Sequence, residues 1–210
     1  MVGSKHTVMP LSEIQLRTAT VILALPKAAG FALAGGAALV IHEIVDRGTK
    51  HLDCFGPSTG AVNQLVDPSL DALAAAGLQT QLLLRADGFS KIVVTDEHQR
   101  TQIDLGFDPA TYEPVAFAIG PGRHLSDLAG DKLLALFSRA AARDFIDVAA
   151  LLRRFSKSEL CAIAAPKDQG FNIDVLADAF GVLPTYDRYD EYPKLKDDDD
   201  HALTAVFAAW

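Results

Sequence analysis

Short apolar runs along the first half of the chain switch between two periods. Ser12-Glu13-Ile14-Gln15 has capping-box spacing, with Ser12 as the cap and Gln15 three residues on. It predicts a helix to about residue 25, where Pro26 stops it. Residues 31–34 are a continuous small apolar run and are read as a short buried strand ending in Gly35-Gly36. Residues 37–45 are rich in helix formers and predict a helix. Residues 51–55 predict a second strand, closed by Gly56-Pro57. Ser58 or Thr59 caps the next expected helix, which takes in residues 70–76 and stops at Gly77. Three β-rich runs follow at 78–84, 89–95 and 101–107, joined by short turns, the pattern of an antiparallel meander. A further strand is expected at 114–119.

Beyond Gly120-Pro121-Gly122 the period becomes helical, so this tripeptide is the expected boundary between two regions, 1–120 and 121–210. Helices are predicted at 128–142 and 144–155. A second capping box at Ser156-Lys157-Ser158-Glu159 opens another helix, and the last spans 171–180 before Gly181. The expected fold class is α/β: a mixed sheet with flanking helices, followed by a helical C-terminal half.

Composition narrows the picture. Half of the 210 residues are apolar and 22% are charged, as in a globular chain. No apolar run approaches the roughly 18 residues of a membrane span, and the N-terminus lacks the pattern of a signal peptide. A cytoplasmic protein without a membrane segment is expected. Cys54 and Cys161 form no Cys-x-x-Cys pair, which argues against a zinc knuckle. The net charge of −8 argues against a surface wholly devoted to nucleic acid and leaves room for a local basic patch. Much of the negative charge lies at 187–200, where 197–200 is read as a solvated turn.

Candidate chemistry lies in two places. A glycine turn at a helix start lets an anion approach the backbone N–H groups, so Gly35 and Gly36 are candidate phosphate contacts. In the strand beyond that helix, His51 and Asp53 are two residues apart and share a face, while Leu52 and Cys54 take the other. Later, Gln102 and Asp104 alternate with Ile103, Leu105 and Phe107. An aspartate inside a half-buried strand is uncommon, since burying charge is costly. It points to a purpose for Asp104 or to an open cleft there.

The segment Phe31-Ala32-Leu33-Ala34-Gly35-Gly36-Ala37-Ala38-Leu39, followed by Arg47-Gly48-Thr49-Lys50-His51-Leu52-Asp53, resembles the AbiEii-type nucleotidyltransferase toxin family of bacterial toxin–antitoxin and abortive-infection systems. The family pattern is Gly-Gly-Thr/Ser-Ala-Leu, a helix, then Arg-x-Ser/Thr-x-Asp-x-Asp. Arg47, Thr49 and Asp53 match it; Ala37 stands where a hydroxyl is usual and His51 where the first aspartate belongs. A second stretch, 131–147, also follows the family order: Lys132, Arg139, Arg143, Asp144 and Asp147.

The resemblance implies a nucleotidyltransferase-like fold with Asp53, Asp104, Lys132 and Asp147 as catalytic groups. His51, Asp53 and Asp104 would be the metal set, for Mg²⁺ or, given the imidazole, Mn²⁺. Gly35, Gly36, Arg47, Thr49, Arg139 and Arg143 would bind the nucleotide. Lys132, Arg139 and Arg143 share a face if their helix continues, and Asp147 would orient Lys132. The implied activity is transfer of a nucleotide from an NTP to an RNA acceptor, tRNA by the resemblance, with a cognate antitoxin as a protein partner. The alternative is a catalytically degenerate binding module for RNA, nucleotide or antitoxin, which the replacements at Ala37 and His51 favour. Whether the chain is an enzyme is left open between these two.

Overall fold

The structure is a computed structural model that describes residues 11–181, 205–207 and 210. The acidic run at 187–200, with its expected solvated turn, lies outside the described residues. The chain divides into two compact units: residues 1–41, 46–110 and 114–122 form the first, and residues 42–45, 111–113 and 123–210 the second.

The first unit contains α1 (Glu13–Leu23), β1 (Ala32–Ala34), α2 (Gly35–Ile41), β2 (Leu52–Gly56) and α3 (Thr59–Ala75). Strands β3 (Gln79–Ala86), β4 (Phe89–Thr95), β5 (Arg100–Phe107), β6 (Val115–Phe117) and β7 (Gly120–Gly122) follow. All seven strands form one mixed sheet in the order β3-β4-β5-β2-β1-β7-β6. β3, β4 and β5 are the expected antiparallel meander, and β5 returns parallel to β2. β2 is antiparallel to β1, and β1 is parallel to β7. One face of the central strands is core: Leu52, Cys54, Ile92, Val94, Ile103 and Leu105 are buried, together with Ile14 and Ile22 of α1 and Val62, Leu65 and Leu73 of α3. The period-two alternation of β2 and β5 makes this face apolar and leaves His51, Asp53, Gln102 and Asp104 to the other.

Local signals set most helix ends. The Ser12 hydroxyl accepts from the Gln15 amide at 3.4 Å while the Gln15 side chain accepts from the Ser12 amide at 2.9 Å. Ser58 caps α3, and Gly77 follows it with φ +76°. One helix expectation is corrected: the helix predicted at 37–45 begins earlier, at Gly35, and ends at Ile41, so the glycine pair forms the first turn of α2. Gly120-Pro121-Gly122, expected as the boundary between the two regions, forms strand β7. Its glycines serve close packing, because a Cβ on Gly122 would lie 2.8 Å from Ile41 Cδ1 and 2.9 Å from Phe117 Cε2. Phe107 follows Ile103 and Leu105 in the alternation and is 46% exposed at the end of β5.

The second unit contains α4 (Leu125–Arg139), α5 (Ala142–Leu151), α6 (Lys157–Ala164) and α7 (Ile173–Phe180). The helix predicted at 128–142 ends at Arg139, because Ala140 turns left-handed at φ +46°. The expected common face of Lys132, Arg139 and Arg143 therefore does not form: the first two are on α4 and Arg143 is on α5. The Ser156–Glu159 capping box opens α6 as expected. Arg123, only 2% exposed, ties to Asp131 at 3.0 Å, and Lys167 bridges Asp131 at 2.6 Å and Asp127 at 3.1 Å. Asp127 also accepts the amides of Thr111 and Tyr112. Burial by itself would raise the Asp127 carboxyl; the two amides and the Lys167 ammonium outweigh it and hold the group below its usual range.

Candidate active site

The register of the first unit brings its charged residues into one row. Ala34 of β1 is opposite Asp53 of β2, Asp53 is opposite Asp104 of β5, and Asp104 is opposite Lys91 of β4. Side chains at paired positions share a face, so Asp53, Asp104 and Lys91 stand side by side on the face away from the core. Their side chains are 20%, 13% and 34% exposed.

The glycine turn closes on this row. Gly35 has φ +59°, and the Asp53 carboxylate occupies the space that a Cβ on Gly35 would fill. Only glycine meets both conditions without strain or collision. A Cβ on Gly36 would lie 3.2 Å from both Arg47 Nη2 and Thr49 Oγ1, so these two side chains reach the first turn of α2. The loop that carries them is pinned: Gln15 Nε2 donates to the Thr49 carbonyl at 2.9 Å, and the Thr49 hydroxyl donates to the His51 carbonyl at 2.9 Å. His51 Nε2 is 3.5 Å from Asp53 Oδ1. Gly35, Gly36, Arg47, Thr49, His51, Asp53 and Asp104 thus converge within this unit.

Electrostatics distinguish the members of the row. Burial pushes the Asp104 carboxyl above its ordinary range. The Gln102 amide, donating to Asp104 Oδ1 at 2.7 Å, and the Lys91 ammonium, 3.7 Å from Oδ2, oppose that rise, while the neighbouring Asp53 charge adds to it and His51 opposes it. On the core face, burial pushes the Cys54 thiol up to about 12, with the Asp53 charge adding to it, so Cys54 is inert packing. Lys91 and Gln102 were not singled out from the sequence as partners of Asp104. Lys91 does alternate with Ile92 along β4, but only the register of β4 on β5 sets it beside the carboxylate.

In the second unit Lys132 Nζ is 2.9 Å from Asp147 Oδ2, the expected ion pair, and both groups are buried. Arg139 grips Asp144 with two hydrogen bonds, of 2.8 Å from Nε and 2.7 Å from Nη2. Arg143 is half-buried on α5.

A divalent metal is implied by the resemblance. Two carboxylates on adjacent strands, one with its charge incompletely compensated, suit a hard cation that takes one or two carboxylates and completes its shell with water and phosphate oxygens. Among the described residues no group of three or more His, Cys, Asp or Glu side chains is arranged to hold a metal ion. Also among the described residues, no helix is long and apolar enough to cross a membrane.

Comparison with known proteins identifies a family and a fold. A family model described as Nucleotidyl transferase AbiEii toxin, Type IV TA system, matches residues 20–169. The fold is similar to the crystal structure of JHP933 from Helicobacter pylori, with a TM-score of 0.59 at 17% identity over 95% of this chain and 92% of that one. It is also similar to a putative nucleotidyltransferase from H. pylori, with a TM-score of 0.58 at 17% identity over 94% of this chain and 95% of that one. At such identity the likeness is one of fold. No curated protein matches the chain by sequence.

Proposed function

This chain belongs to the AbiEii nucleotidyl transferase toxin family, and from that premise we propose that it transfers a nucleotide from an NTP to an RNA acceptor, with tRNA as the acceptor. The observation that carries the reading is the in-register pair Asp53 and Asp104 beside the Gly35-Gly36 turn. Asp53 and Asp104 would hold Mg²⁺ or Mn²⁺, which when bound neutralises phosphate charge and activates the attacking oxygen. Gly35, Gly36, Arg47 and Thr49 offer backbone and side-chain donors to phosphate oxygens. Asp104, in register beside Asp53, would also take the proton of the acceptor hydroxyl. The hydroxyl oxygen bonds to the α-phosphorus, the bond to the β-phosphate breaks, and pyrophosphate leaves. The family pattern gives Lys132 the task of balancing triphosphate charge and Asp147 that of orienting it, and their ion pair supports this. Arg139 and Arg143 are assigned secondary phosphate contacts, Arg139 in competition with its hold on Asp144.

One observation favours a second reading. His51 stands where the family has an aspartate, and it lies against Asp53. An imidazole is a poor Mg²⁺ ligand. In this reading the chain is a catalytically degenerate module that binds nucleotide, RNA or an antitoxin partner through the same face. Incubation with labelled NTPs, total tRNA and Mg²⁺ or Mn²⁺ separates the two. Label transfer by the parent, lost in Asp53→Asn, supports the enzyme. Transfer only by His51→Asp supports the degenerate module, and transfer that survives loss of Asp53 sinks the assignment of the site.

A further inference from the structure

The charged row across the sheet has a direction. It starts at Ala34, which leads into the Gly35-Gly36 turn, and continues through Asp53, Asp104 and Lys91; Leu84 of β3 stands opposite Lys91 beyond it. Solvent access grows along the row: the Asp104 side chain is 13% exposed, that of Lys91 is 34% exposed, and Leu84 is 47% exposed. The row therefore reaches water on the side of β4 and β3, away from the glycine turn. Lys91 is the cation on that side. Strands disfavour lysine, and its neighbours in β4, Ser90 and Ile92, are buried. Among the described residues its charged partner is Asp104, and at 3.7 Å that contact is an ion pair without a hydrogen bond. An ammonium has three donors, so Lys91 keeps donors for a ligand.

We propose that Lys91 binds a phosphodiester of the RNA acceptor, the one nearest the reacting hydroxyl. The proposal rests on the transferase reading above. In-line displacement puts the attacking oxygen and the leaving group on opposite sides of the phosphorus. With the triphosphate held at Gly35, Gly36, Arg47 and Thr49 and the α-phosphorus over Asp53 and Asp104, pyrophosphate leaves toward β1. The acceptor hydroxyl then arrives from the β4 side, where Lys91 stands. The anion nearest a terminal ribose hydroxyl is the phosphate of the same nucleotide. Adjacent strands are about 4.8 Å apart, so a hydroxyl at Asp104 brings that phosphate within reach of a lysine one strand further out. Lysine meets phosphate as a point charge and does not read the base. A chain of net charge −8 has no broad basic surface to attract RNA and depends on local cations of this kind.

The test measures binding of a short labelled single-stranded RNA, ending in an unmodified ribose, over a series of salt concentrations at constant Mn²⁺. It uses the full chain and its Lys91→Gln, Lys91→Arg and Lys27→Gln variants. Lys27 is exposed, ahead of β1 and outside the row, so its loss controls for net charge. Lys91→Gln is expected to lower the slope of log affinity against log salt by about 0.7, the counterions released by one single-strand phosphate. That is a loss of about fivefold at about 0.1 M salt, closing toward about 1 M. Lys91→Arg is expected to keep the parental slope and Lys27→Gln to leave it unchanged, with NTP affinity the same in all four proteins. A parental slope in Lys91→Gln overturns the contact, as does a parent that fails to bind the RNA or an equal fall in slope in Lys27→Gln. Loss of NTP affinity in Lys91→Gln overturns the assignment to the acceptor. If the parent transfers no nucleotide yet Lys91→Gln shows the lower slope, the contact stands and the transferase reading falls. If the parent transfers nucleotide and Lys91→Gln keeps the parental slope, the reverse holds.

Discussion

The two units treat charge in opposite ways. In the second, Lys132 and Asp147, Arg139 and Asp144, Lys167 and Asp127, and Arg123 and Asp131 are matched pairs in which at least one partner of each is buried, with Lys167 also reaching Asp131. In the first, Asp53 and Asp104 are like charges side by side on the sheet face away from the core, with Lys91 and His51 as looser neighbours at 3.7 and 3.5 Å. Matched buried charges fix a structure, because removing either partner strands the other out of water. Adjacent, incompletely neutralised carboxylates weaken the fold slightly and leave a negative site for a ligand to satisfy, which is the usual mark of a functional cluster.

The largest expected effect tests the buried side. Asp147→Ala leaves the Lys132 ammonium without its 2.9 Å partner, and should cost about 4 kcal/mol, read as a fall in thermal midpoint of roughly 10 °C. An unchanged midpoint would break the contrast. On the open side, Asp53→Asn should lower nucleotide transfer by more than about 100-fold, beyond the effect of losing an outer-shell partner, while the midpoint holds or rises. The pH dependence should have opposite signs in the two units. The Asp127 carboxyl is held below its usual value, so its stabilisation is present above about pH 4 and is lost as pH falls through the lower folded-state value. Asp104 is held above its usual value, so stability declines as pH rises through that raised value. Thermal melts with a chelator present should therefore show Asp127→Asn flattening the acid limb, and Asp104→Asn raising the midpoint at neutral pH. The smallest effect is a control outside both charge sets: Ser156→Ala removes the cap of α6 and should cost about 1 kcal/mol in a denaturant melt.

Local chemistry made much of the fold legible in the chain itself. Both capping boxes, the stop at Gly77, the meander and the alternation of β2 and β5 depend on neighbours a few residues apart, so the sequence carries them directly. The family pattern, likewise linear, picked out Gly35, Gly36, Arg47, Thr49, Asp53 and the Lys132–Asp147 pair. What only the tertiary structure decided are the long-range matters. β7 forms from a Gly-Pro-Gly that reads as a break, because close packing against Ile41 and Phe117 rewards the missing side chain. The left-handed turn at Ala140 separates Arg139 from Arg143, a choice no local signal records. Lys91 meets Asp104, and Asp104 meets Asp53, through strand register, which pairs residues far apart in the chain and is fixed by the buried face rather than by the residues it brings together.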